Sequence, residues 1–270
     1  MRFKSLEQLK RRNCREVELA TLPQRVLITE YAMVKALQVN GLVRTRFKES
    51  FEWYGYTIAR RDEPEVIIDI GLPVNGQNAH HYTGIGPESI AEYQEALPPG
   101  VIINGWVHSH GDLDYRQFSN IDEKNHLTVL DYVTSLLRKP VARQEVVIED
   151  LQLLVEGEGS IEELREGNVF LLTDVPVRAA TLMETVYGGF CYAMVVGDAG
   201  WHRQKILCKK RTILSGRTLV ERLEDPELVT LRTGRPFTES DAETLRDEIK
   251  RKIKPLAAHF SSPTAPPHRS

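Results

Sequence analysis

At 270 residues the chain has room for one large domain, or one domain with a smaller extension, and can bury a sizeable core. Hydrophobic residues make up 41% and charged residues 27%, a soluble globular balance, and a net charge of −3 leaves no electrostatic footprint for nucleic acid. Cys14, Cys191 and Cys208 form no CxxC pair, which argues against a disulfide framework or a cysteine zinc site and fits a reducing, cytoplasmic compartment.

Residues 1–23 read as a charged lead-in without the apolar stretch of a signal peptide. No run of apolar residues is long enough to span a membrane, so no membrane partner is expected. Val26-Leu27-Ile28 is a short strand, and Thr29 is placed to cap a helix through Leu37. Residues 50–60 are rich in aromatic and β-branched types and predict a strand, followed by a second at Val66–Ile70. A Gly- and His-bearing loop runs from Pro73 to Pro87, where proline opens a helix that Pro98-Pro99-Gly100 stops.

The run from Val101 to His108 is almost continuously apolar, the pattern of a central strand. Ser119 or Asn120 caps the next helix, which carries Leu127, Val129, Leu130 and Val133. Val146–Ile148 and Leu151–Val155 read as strands, or as one bent strand. Phe190–Val196 and Gln204–Cys208 flank Gly197-Asp198-Ala199-Gly200, which signals a hairpin. Thr238, with Asp241 three residues on, opens a charged amphipathic helix to residue 254, and the Ser/Pro-rich tail 261–270 reads as disordered. Alternating strands and helices give an α/β fold with a mixed sheet. Lys10-Arg11-Arg12 and Lys209-Lys210-Arg211 read as solvated charged faces.

Chemistry concentrates at His108-Ser109-His110. Residues i and i+2 of a strand share a face, so both imidazoles can reach one metal ion. Asp122, across a loop at the start of the next helix, can supply a third ligand and leave a position open for water, the donor set of a hydrolytic zinc site. Glu52, beside Trp53 and Tyr54, is placed as the acid/base that moves the proton, with Glu49 as its competitor. Ser119 can donate a hydrogen bond to an oxyanion. His80 and His81 are candidates for substrate contact, against the reading of plain loop histidines. His126 reads as a helix-surface residue or one that supports the ligands, and Trp106 as core.

Glu52-Trp53-Tyr54-Gly55, then Gly105-Trp106-Val107-His108-Ser109-His110, then Ser119-Asn120-Ile121-Asp122 resemble the motif of the JAMM (MPN-plus) metallopeptidases, many of which are deubiquitinases. The resemblance, of prokaryotic type, spans about residues 24–155. It implies an MPN/JAB-like mixed sheet flanked by helices, with one zinc ion on His108, His110 and Asp122. It also implies Glu52 as acid/base, Ser119 at the oxyanion, and a ubiquitin-like protein or its conjugates as partner. The domain reading that follows is a catalytic domain at 24–165 and a C-terminal extension at 166–260 packing on it, containing a hairpin and a helix. The expected function is zinc-dependent isopeptidase or peptidase action after a ubiquitin-like tail. A zinc amide hydrolase without such a partner, a non-catalytic scaffold and a homodimer stay open. Two departures stand out: Gly111 takes the place of the family's proline, and the loop from His110 to Ser119 is one residue longer than the pattern.

Overall fold

The computed structural model describes residues 17–48, 52–78, 85–111, 115–148, 152–155, 170–173 and 180–255. His80, His81, Glu49, Asp112, Asp114 and the tail 261–270 lie outside the described residues. The protein is mixed α/β, with a mixed sheet and helices, as expected.

The chain divides into two units. The larger comprises residues 24–133, 191–206 and 223–270, and the smaller comprises 1–23, 134–190 and 207–222. Strands β10 (Ala180–Val196) and β11 (His202–Thr212) each contribute residues to both.

In the larger unit, β1 (Val26–Thr29) leads directly into α1 (Glu30–Phe47). Thr29 caps that helix, its hydroxyl oxygen accepting from the Ala32 N–H at 3.2 Å. Strands β2 (Tyr54–Arg60), β3 (Val66–Ile67), β4 (Asp69–Gly71) and β5 (Asn75–Asn78) follow, then α2 (Pro87–Glu95), with proline in its first turn. β6 (Val101–Ser109) precedes α3 (Asn120–Leu136). After β10 and β11 come the end of β12 (Thr218–Glu224), β13 (Leu228–Leu231), α4 (Glu239–Lys252) and β14 (Ile253–Pro255). Thr238 and Asp241 form a reciprocal capping box on α4.

β6 sits between β2, which runs antiparallel to it, and the C-terminal part of β10, which runs parallel. Its apolar run is explained by that position, because a strand covered on both edges and both faces has no solvent side. Ile102, Ile103, Trp106 and Val107 are all buried. Inside this core Asn104 is satisfied by Thr57, whose hydroxyl donates to it at 2.7 Å, and by the Pro64 carbonyl at 2.9 Å. The strand predicted over 50–60 begins only at Tyr54, so Glu52 lies just before β2 rather than within it.

In the smaller unit β7 (Lys139–Ile148) pairs antiparallel with Ala180–Gly188 of β10. β8 (Gln152–Val155) pairs parallel with β9 (Phe170–Thr173). Both hairpin strands run longer than their apolar blocks: Ala180–Gly188 of β10 pair with β7, and β11 continues through the polar run Lys209–Thr212.

The buried Glu184 carboxylate of β10 organises the turn after β11. It accepts from Gln144 Nε2 at 2.7 Å, Ser215 Oγ at 2.9 Å, and the Leu214 and Ser215 N–H groups at 2.9 and 3.3 Å. Burial opposes its ionisation, but these donors outweigh burial and hold its pKa below the ordinary 4.5. A carboxyl depressed in the folded state stabilises the fold above its unfolded pKa and loses that contribution as pH falls through the folded value. Glu184→Gln is therefore expected to cost about 2 kcal/mol at neutral pH. The gap from wild type should close as the pH falls below about 4. Urea midpoints measured across pH check this, and a gap that stays constant with pH counts against it.

Candidate metal centre

His108 and His110 share one face of β6, as the period of a strand requires, and both are buried. Asp122, in the first turn of α3, is also buried and meets them. His108 Nε2 lies 3.1 Å from His110 Nε2 and 3.1 Å from Asp122 Oδ1, while His110 Nε2 lies 3.3 Å from Asp122 Oδ2. A metal at ~2.0–2.1 Å from each donor in a tetrahedron needs donors roughly 3.3–3.4 Å apart. The triangle has nearly those edges.

The tautomer supports the same conclusion. His110 Nδ1 sits 2.6 Å from the Tyr115 carbonyl, which can only accept, so Nδ1 carries a proton. In the neutral ring Nε2 then presents a lone pair to a carboxylate and to a second imidazole nitrogen. Three buried acceptors converging on one point require a cation or a proton among them. The donor set of two imidazoles and a carboxylate fits zinc. Burial lowers the His108 pKa and keeps that ring neutral. Burial works the same way on His110, but the Asp122 and Tyr115 oxygens outweigh it and raise the pKa. The Asp122 carboxyl is pushed up by burial, yet the two rings and the Ser119 N–H hold it well below the carboxylate range.

Local structure explains how Asp122 is aimed. Ser119 is the N-cap of α3: its Oγ accepts from the Asp122 N–H at 3.2 Å, and its own N–H donates to Asp122 Oδ2 at 2.6 Å. This reciprocal pair is a capping box with aspartate in the third helical position. The longer loop before Ser119 therefore still closes onto the site. Gly111 has φ 59°, in the left-handed region, and donates to Ser109 Oγ at 3.4 Å. Proline, fixed near φ ≈ −65°, could not follow this path.

Glu52 is half-buried beside the triangle. The antiparallel register sets Tyr54 against His108, and the Ser109 N–H donates to the Trp53 carbonyl at 3.0 Å. Continuing that pairing two residues places Glu52 opposite His110. Burial pushes the Glu52 carboxyl up to about 7, with the His110 ring opposing the rise and the Asp122 charge adding to it. A carboxyl that titrates near neutrality is suited to taking up and returning a proton.

Further residues hold the site from behind, and of these sequence reasoning did not find Asn40 and Asp198. The Trp53 indole donates to Asn40 Oδ1 at 3.0 Å, and Asn40 Nδ2 donates to Asp198 Oδ1 at 2.7 Å. Asn40 of α1, itself held by Asp198, 158 positions along the chain, thus fixes the residue next to Glu52. One signal was present: Asn40 lies four residues after Ala36 on the buried face of α1. Trp106 stacks on the His108 ring at 4.4 Å and 9°. His126 is fully buried against Trp106 and Phe118, at 5.2 and 4.8 Å between ring centroids, so of its two readings it is the supporting residue and not the helix-surface one. Trp106 is core, as expected. Tyr115, half exposed, stacks on the His110 ring at 5.5 Å.

The loop bearing His80 and His81 returns to the described structure at Ile85, whose N–H donates to Asn125 of α3 at 3.1 Å. Among the described residues no helix is long and apolar enough to cross a membrane. No family model and no curated protein matches this chain.

Proposed function

We propose that this chain is a zinc-dependent isopeptidase or peptidase, on an MPN/JAB-like fold, that cuts after the C-terminal tail of a ubiquitin-like protein. The observation that carries the reading is the buried triangle of His108, His110 and Asp122, with half-buried Glu52 two residues before Tyr54, the partner of His108. When bound, zinc supplies a Lewis acid and lowers the pKa of the water it holds to about 7. Glu52 takes a proton from the attacking water and hands it to the leaving amine. Ser119 Oγ already accepts from the Asp122 N–H, so its O–H is left to donate to the developing oxyanion. His108 and His110 would present neutral imidazoles to the metal, the first favoured in that form by burial and the second with its Nε2 lone pair turned inward by the Nδ1–H bond to the Tyr115 carbonyl. The ubiquitin-like substrate rests on the motif resemblance.

The test uses the full chain with a panel of ubiquitin-like proteins fused through their C-terminal tails to a reporter, beside a short peptide amide. Cleavage at the tail junction, lost on chelation and restored by zinc, is expected. Cleavage of the short amide alone would favour a hydrolase without a ubiquitin-like partner. Zinc-loaded protein that cuts neither would favour a scaffold, and a chain that takes up no zinc sinks every catalytic version.

A further inference from the structure

Lys205 of β11 is buried, its side chain only 5% exposed. Lysine is almost never fully buried unless it is paired. Its Nζ pairs with the Glu123 carboxylate and, at 3.0 Å, with Glu224. The same ammonium lies 4.9 Å from the centroid of the Phe118 ring. Glu123 directly follows the candidate ligand Asp122, and Phe118 directly precedes its cap, Ser119. One buried cation therefore grips the α3 N-terminus on both sides of the capping box. The Asp122 carboxylate takes its direction from the backbone of that same turn, through the Ser119 N–H. A shift of the turn moves the ligand.

We infer that Lys205 is a positioning residue that holds Asp122 on the metal through Glu123 and Phe118, an inference that rests on reading His108, His110 and Asp122 as metal ligands. The C-terminal strand β11 then forms part of the centre and not merely a brace. Partners behind a metal ligand typically change metal affinity ~10–100-fold when removed. Lys205 acts one bond further out, so the low end applies.

The test measures zinc dissociation constants by chelator competition on the full chain, with thermal unfolding of the metal-free protein as a second readout. Lys205→Met should raise the dissociation constant about tenfold. Glu123→Gln should do the same, and the double variant should be no worse than the weaker-binding single, because both act through one contact. A purely structural lysine would lower the melting temperature and leave zinc affinity unchanged, which would overturn the inference. Should Lys205→Met fail to fold, Glu123→Gln decides: unchanged affinity there also overturns it. A wild type that takes up no zinc removes the site reading and this inference together. A wild type that binds zinc no more tightly than either variant removes this inference alone.

Discussion

Glu52→Gln is expected to keep its zinc and lose cleavage by about 10²–10⁴-fold, the range a positioned proton carrier contributes. Glutamine preserves the volume, so the packing around Trp53 and its bond to Asn40 survive. It cannot release and regain a proton. The ligand triangle is untouched, because Glu52 contributes none of the three converging atoms. The loss should therefore fall on kcat, with metal content and KM close to wild type. Steady-state kinetics on a tail fusion, beside metal analysis of the same samples, check this. Glu49→Gln serves as the comparison. A Glu52→Gln enzyme that retains most of its kcat, while Glu49→Gln does not, would reassign the proton carrier.

Much of the site was legible because it depends on local rules. The shared face of His108 and His110 follows from strand periodicity alone. The Ser119–Asp122 spacing is a capping box, and the structure forms it. Glu52 needed one longer-range fact, the antiparallel register of β2 on β6, which aromatic and β-branched composition suggests but does not fix. What could not be read depends on neighbours distant in the chain. Nothing local reveals that β10 lies parallel to β6, or that Lys205 reaches Glu123, eighty-two positions away. The Tyr115 contribution was hidden for another reason: its carbonyl, present on every residue, fixes the His110 tautomer. The strand β12, Thr218–Glu224, is exposed along nearly its whole length and lacks the alternation that marks a half-buried strand.

Asp122→Asn is expected to weaken zinc binding by more than the ~10–100-fold that loss of a supporting contact costs, because it removes a ligand charge itself. Asparagine keeps the shape of the side chain, and its amide oxygen can still accept from the Ser119 N–H, so α3 keeps its start. It removes the one negative group of the triangle, leaving two neutral imidazoles to hold a divalent cation in a buried site. The consequence extends to stability. A ligand that binds only the folded state stabilises it by about 2.7 kcal/mol at one hundred times its dissociation constant. Added zinc should therefore raise the melting temperature of the wild type and leave Asp122→Asn almost unmoved. In the metal-free state the variant is expected to melt below the wild type, because the rings and the Ser119 N–H that hold the Asp122 pKa down stabilise its charged form at neutral pH. Thermal unfolding with and without zinc, on both proteins, reads the two effects separately. If both proteins gain the same stability from zinc, the metal binds elsewhere and the triangle is not its site.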